Sequence, residues 1–292
     1  MKKMKYYKNK RAIILFLFPA VLFIAVFLYY PFFMSCYKSF FNWDGFATST
    51  FIGFDNYKAM FKDLQVRQAI KNTFFMMFLA CAVQVGLGLL LAITVDHVSK
   101  GAKFFKTVYF FPIVISATAI GVMFKLFYAY DGGPLNNLLL RFGKEPVNWL
   151  SYEMALGSVS VPIIWQYVGF YFVILLTSIN GIPQSLYESA YLDGITGITK
   201  TIYITIPLIW DMIKVCLVLA ITGSLKVFDM VFVITRGGPM SATELLGTYM
   251  YKRTFFDNRF GYGSTIAVFI VFLGIVVSSV VNRVLRSEEI TY

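Results

Sequence analysis

Long apolar runs separated by short polar stretches dominate this chain. Six of them reach the roughly 20 residues needed to cross a hydrocarbon core: 12–33, 73–95, 108–128, 155–179, 208–234 and 265–284. In lipid each segment must satisfy its own backbone hydrogen bonds, so runs of this length are predicted to be helices. Strands of a barrel would be about half as long and would alternate in polarity. The predicted fold class is an all-α integral membrane protein, a single transmembrane domain over residues 1–292. It has six transmembrane helices and a helix–turn–helix, 180–207, between the fourth and fifth.

Composition narrows the class. Of 292 residues, 58% are hydrophobic and 14% charged, against about 25% charged in a typical soluble domain. The net charge of +11 resides mostly in Lys and Arg that flank apolar runs, a topology signal rather than a phosphate-tracking groove. Nucleic acid is therefore not expected as a partner, whereas membrane lipid is. Three cysteines make no disulfide framework, and Cys81 and Cys216, inside apolar runs, read as packing residues. One histidine, His97, builds no metal site alone, and no catalytic cluster of His and carboxylates is present. No G-x-x-x-x-G-K-[ST] loop occurs, so any use of ATP through such a loop requires another polypeptide.

The first run continues through "FLYYPFF" with no small-residue cleavage site, so it is expected to stay as the first span. Positive charge is nearly balanced between the two sides. The first eleven residues nevertheless hold six Lys and Arg, and the short loop "DHVSKGAKFFK" holds three lysines. Weighting residues close to the span ends places both termini, and the 180–207 loop, in the cytoplasm. The outer stretch "FNWDGFATSTFIGFDNYKAMF" combines turn formers with aromatics of the kind that line a membrane surface.

Within 180–207, Ser185 and Glu188 have the spacing of a capping box. This predicts a short helix from Leu186 to about Asp193, closed at Gly194 by a left-handed residue. A second short helix is predicted toward Thr205, with Pro207 where the fifth span begins, a position proline tolerates. Ser189 and Ala190 are small enough to let another protein approach. The alternative role for Glu188 is to cap its own helix.

The fifth span carries Asp211, Lys214, Lys226 and Asp229. On an uninterrupted helix these and Thr222 share a stripe about 120° wide, predicted to face a subunit interface or a solute pathway because charges in a span avoid lipid. They could equally pair internally, Asp211 with Lys214 and Lys226 with Asp229. In the fourth span Trp165 and Gln166 are candidates for stacking on, and hydrogen bonding to, a solute; packing is the plainer role for the Trp.

The spacing Glu188-Ser189-Ala190-x3-Gly194-x9-Ile204-x-Ile206-Pro207 resembles the E-A-A-x3-G-x9-I-x-L-P loop of ABC-importer permeases, with Ser189 and Ile206 as mild departures. "GFDNYKAMF", "FFPIVISATAIGVMFKLF", "GGPLNNLL" and "TRGGPMSATELLGTYMYKRTFF" are similar to patterns of the maltose-type, carbohydrate branch. The resemblance implies one of two membrane subunits, favouring a heterodimer, in a bacterial-type cell membrane. It implies a coupling loop of Glu188, Ser189, Ala190, Gly194, Ile204 and Pro207 gripped by a dimeric nucleotide-binding ATPase. ATP and Mg would sit on that partner, with no cofactor on this chain. An extracellular solute-binding protein would deliver a sugar or oligosaccharide. The pathway candidates are then Trp165, Gln166, Thr222, Lys226 and Asp229. A polyol or sugar phosphate is an alternative cargo. An ion-coupled secondary carrier is a rival class, but no pair of interrupted spans is evident in matching positions of two halves.

Overall fold

A computed structural model describes residues 10–46, 49–96 and 101–285. The basic residues 1–9, His97 and Lys100 lie outside the described residues. The chain divides into two compact units, one of residues up to Lys62 with Met250–Phe269, the other of Asp63–Tyr249 with Ile270 onward.

In the first unit, helix α1 (Ile13–Lys38) is apolar around its whole circumference, and none of its most apolar window is buried, as expected of a helix facing lipid or another subunit. A two-stranded ribbon follows, β1 (Phe41–Asn42) and β2 (Thr50–Phe51), antiparallel with Phe41 opposite Phe51. Helix α2 (Asp55–Lys62) is tied to it by Asn56, whose Nδ2 donates to the carbonyls of Ser39 and Phe41, both at 2.9 Å.

The second unit holds α3 (Leu64–Asp96), α4 (Ala102–Val114), α5 (Ala117–Phe127), the surface helix α6 (Pro134–Arg141) and α7 (Ala155–Asn180). There follow α8 (Gln184–Leu192), α9 (Gly197–Lys200), α10 (Trp210–Leu225), α11 (Asp229–Ile234) and α12 (Leu246–Tyr251), the last two residues of which belong to the first unit. Helix α13 (Phe260–Val284) begins in the first unit and ends in the second. Among the described residues five helices are long and apolar enough to cross a membrane; α4 and α5, bent by 90° at their junction, make a sixth if the pair is one span.

That bend corrects the continuous span predicted over 108–128. Ile115 and Ser116 both adopt extended ψ values, 138° and 132°. Pro112, three residues earlier, lacks the N–H that would continue the helical ladder. The fifth span is interrupted as well, at Lys226–Phe228, between α10 and α11. Two spans are thus broken where none was expected to be.

Helix α7 is the central element. Phe172, Leu175, Leu176 and Ile179 pack in one buried cluster with Ala92, Cys216 and Ala220. Val159 and Ile163 belong to a second cluster with Met76, Ile120, Met230 and Ile234. Pro162 in its interior deprives the Ser158 carbonyl of its helical donor. Tyr128 Oη supplies the missing hydrogen bond at 2.8 Å. Small residues let backbones approach: a Cβ at Gly88 would lie 2.9 Å from Tyr171 Cβ, and one at Gly169 would overlap the Tyr109 carbonyl of α4.

The Gly169 contact is against backbone, which no rotamer change relieves. Gly169→Ala is expected to cost at least about 3 kcal/mol, the upper end of ordinary overpacking. Thermal unfolding in detergent checks this, with Gly157→Ala, where a Cβ meets nothing within 4 Å, as the control that should behave as wild type.

Candidate functional site

Two features stand out as sites, a protruding loop and an internal cavity. In the loop, α8 starts one residue before the predicted capping box, with Pro183 as its cap and no side-chain capping bond. Proline offers no N–H, so a glutamate has nothing to reach back to and the box cannot form. Ser185 lies in the first turn, and its carbonyl accepts from Ser189 Oγ at 3.0 Å. Glu188 is exposed and, among the described residues, makes no hydrogen bond or ion pair. Its own-helix capping role is thereby removed.

The end of α8 is as predicted. Gly194 adopts φ +77°, the Gly194 N–H donates to Tyr191 O at 3.0 Å and the Ile195 N–H to Ala190 O at 2.9 Å. These two bonds define a Schellman termination. Ala190 is buried rather than offered to a partner, while Ser189 is exposed. Leu186 and Tyr187 pack on the main core cluster. Tyr187 Oη lies 3.3 Å from Thr205 Oγ1, and Lys200 Nζ sits 4.9 Å from the Tyr187 ring.

Beyond the turn, α9 continues through a π-helical segment, Thr201–Thr205, into Ile206–Leu208. Pro207 is placed there and Ile204 is partly buried. The outward surface is apolar to an extent unusual for a loop: Tyr191 is 72% exposed, Leu192 86%, Ile198 79% and Tyr203 72%. Such a patch marks an interaction surface.

The cavity, about 250 Å³, lies where the two broken spans meet. Ala117 lines it from the first residue of α5, and Lys226, Val227, Phe228 and Asp229 line it from the interruption between α10 and α11. Gln84, Gln166, Tyr171 and Ser224 contribute further lining. Lys226 and Asp229 make no ion pair with one another or with any other described residue. Each nevertheless sits at the helix end that favours its charge, Lys226 at the C-terminus of α10 and Asp229 in the first turn of α11.

The remaining predicted residues are placed elsewhere. Asp211 and Lys214 form an ion pair with each other near the start of α10. Trp165 is 41% exposed and meets Phe124, with ring centres 6.1 Å apart; it does not line the cavity. Nor does Thr222, whose hydroxyl bonds Val218 O at 2.9 Å within its own helix. The 120° stripe presumed a helix running unbroken from Asp211 to Asp229, and the interruption after Leu225 re-aims its far end. Gln84 was overlooked, although a lone polar residue in an apolar span is the same signal that singled out Gln166.

These features belong to a known class. Residues 84–288 match the family described as binding-protein-dependent transport system inner membrane component, and the chain belongs to that family. It is 37% identical over 277 residues to the probable ABC transporter permease protein YurN of Bacillus subtilis (strain 168), covering 93% of this chain and 94% of that one. It is 28% identical over 264 residues to the multiple sugar-binding transport system permease protein MsmF of Streptococcus mutans serotype c (strain ATCC 700610 / UA159), covering 89% and 91%. It is also similar to a chain in the crystal structure of a bacterial alginate ABC transporter in complex with an alginate pentasaccharide-bound periplasmic protein. There the TM-score is 0.84, the identity 27%, and 99% of each chain is covered. The protein is thus an ABC-importer permease, a multi-pass membrane subunit. Interrupted spans therefore occur here without implying an ion-coupled carrier.

Single cysteines in an otherwise cysteine-free background test the cavity. Val227→Cys, in the lining, is expected to react with a small charged thiol reagent in membranes. Val215→Cys, 49% exposed on the outside of α10 and absent from the lining, is expected to stay unlabelled. Equal labelling of the two would remove the aqueous cavity.

Proposed function

We propose that this permease takes up a sugar or oligosaccharide, that the loop 180–207 receives the stroke of an ATPase, and that the cavity between the broken spans is the cargo path. The observation that carries the reading is Glu188, a solvent-facing carboxylate with no partner among the described residues. It stands on a helix fixed to the core through Leu186 and Tyr187 and flanked by exposed Tyr191 and Leu192. A surface of this kind is built to be gripped. A dimeric nucleotide-binding subunit, holding ATP and Mg, grips it; Gly194, Ile204 and Pro207 shape the loop, and Ser189 lies on its outer face. A second permease subunit, distinct in sequence, completes the membrane portion, and both termini lie on the ATPase side. The alginate-transporter and MsmF relatives support delivery by an extracellular binding protein and a carbohydrate cargo.

Lys226 and Asp229 are the charged groups of the path, with Gln84 and Ser224 beside them. An unpaired cation and carboxylate offer donors and an acceptor to a polyhydroxylated solute, whose hydroxyls both donate and accept.

The coupling is read by measuring uptake of radiolabelled sugar and ATP hydrolysis together, in vesicles holding the assembled complex. Glu188→Ala is expected to lower uptake about tenfold or more, in the range of a coupling free energy of 1–3 kcal/mol, while the complex still assembles. Undiminished uptake would reduce the loop to a connector.

A further inference from the structure

The two polar atoms of Gln166 are in opposite circumstances. Its side chain is buried, the residue 3% exposed. Nε2 donates to the carbonyl of Ile115 at 3.0 Å, the backbone acceptor released where α4 ends. Oε1 is sealed from solvent and has no hydrogen-bond donor among the described residues. A buried amide acceptor left in that state is unfavourable. The bond to Ile115 therefore holds the carboxamide in an arrangement its own oxygen opposes.

The position of this bond gives it leverage. Ile115 is the first non-helical residue at the 90° bend between α4 and α5. Helix α5 packs closely on α11: a Cβ at Gly121 would lie 3.1 Å from Val233 Cγ1 and 3.6 Å from Met230 Cα. The two short helices beyond the interruptions are thus packed directly against each other, and α11 carries Asp229 at the cavity. One turn earlier on α7, the Ile163 carbonyl accepts from Gln84 Nε2 of α3 at 3.1 Å. A chain of two buried amides thus runs from the second span, through the fourth, to the break in the third.

We propose that Gln166 is a positioning residue that latches the break of the third span. Its Nε2 bond to Ile115 keeps α5, and with it α11, in the bent arrangement that shapes the cavity. The unpartnered Oε1 keeps that hold weak enough to release when a donor reaches it in another state of the transport cycle. The place in a cycle rests on the importer reading above; the latch itself is a property of this chain, and its test reads the bend directly.

Spin labels at Thr107 on α4 and Val122 on α5, both exposed, report the angle by pulsed electron resonance in the assembled complex in lipid discs. Wild type should give one narrow distance distribution. Gln166→Met, close in size and unable to donate, should shift it by several ångströms or add a second population. Gln166→Glu adds a signature that packing alone cannot produce. Measured at about pH 5 and about pH 9, it compares a protonated carboxyl, which can donate to Ile115, with a carboxylate, which has no proton to give and repels that carbonyl. Its distribution should be that of wild type at the lower pH and displaced at the higher. Lys226, Asp229, Tyr167 and Tyr171 line the same cavity, so wild type and Gln166→Met are read at both pH values as controls. An unchanged distribution in Gln166→Met overturns the latch, as does displacement of Gln166→Glu at both pH values. Because the readout is a distance within this chain, either result leaves the cargo and the ATPase partner to be judged by uptake.

Discussion

The backbone carbonyl that loses its helical donor inside a membrane protein governs this architecture. A span can be broken or carry a proline only if something else satisfies the freed acceptor, because lipid cannot. In this chain the donors are buried side chains: Tyr128 Oη for Ser158, below Pro162, and Gln166 Nε2 for Ile115 at the bend. Each such bond contributes modestly when made, about 1 kcal/mol, and leaving the acceptor unmet costs about 1–3 kcal/mol. The cavity lies where two spans are interrupted, and at the bend of the third the freed Ile115 carbonyl is met by Gln166 Nε2. The small residues along α7 bring the donors within reach.

Much of this was legible from hydropathy, and the parts that were not have a common cause. Each of the six apolar runs falls on one of the five candidate spans or on the bent pair, because burial in lipid depends on composition over about 20 residues. Hydropathy takes no account of backbone direction, so the bend after Val114 and the interruption after Leu225 left no trace in it. Pro112, followed four residues later by Ser116, was the available signal. The same blindness explains the fate of the charged stripe: Lys226 and Asp229 reach the cavity as expected of intramembrane charges, whereas Thr222 bonds its own helix. In the loop, the left-handed Gly194 could be read because only glycine adopts that conformation without strain. The capping box could not, since a preceding proline started the helix two residues early, at Gln184, and Glu188 faces outward.

Helices α7 and α10 both join the loop to the cavity, and the stiffness of α10 matters. Tyr187 of α8 meets Thr205, and Thr205 O accepts from the Ile209 N–H at 3.1 Å, at the entrance to α10. Helix α10 has 16 residues, about 24 Å at 1.5 Å per residue. Its C-cap, Lys226, stands on the cavity wall. On the proposed coupling, a displacement applied to the exposed face of α8 would enter this rod close to one end and emerge at the interruption beside the cavity. A flexible tether in the same place would dissipate the motion. Pro207 and the π-helical turn before it lie on the loop side of that rod. Small movements at such a joint become large ones only if the far end has discrete alternatives. At the cavity end of this path the backbone leaves the helix at Lys226–Phe228, next to α11, which packs onto the bent third span.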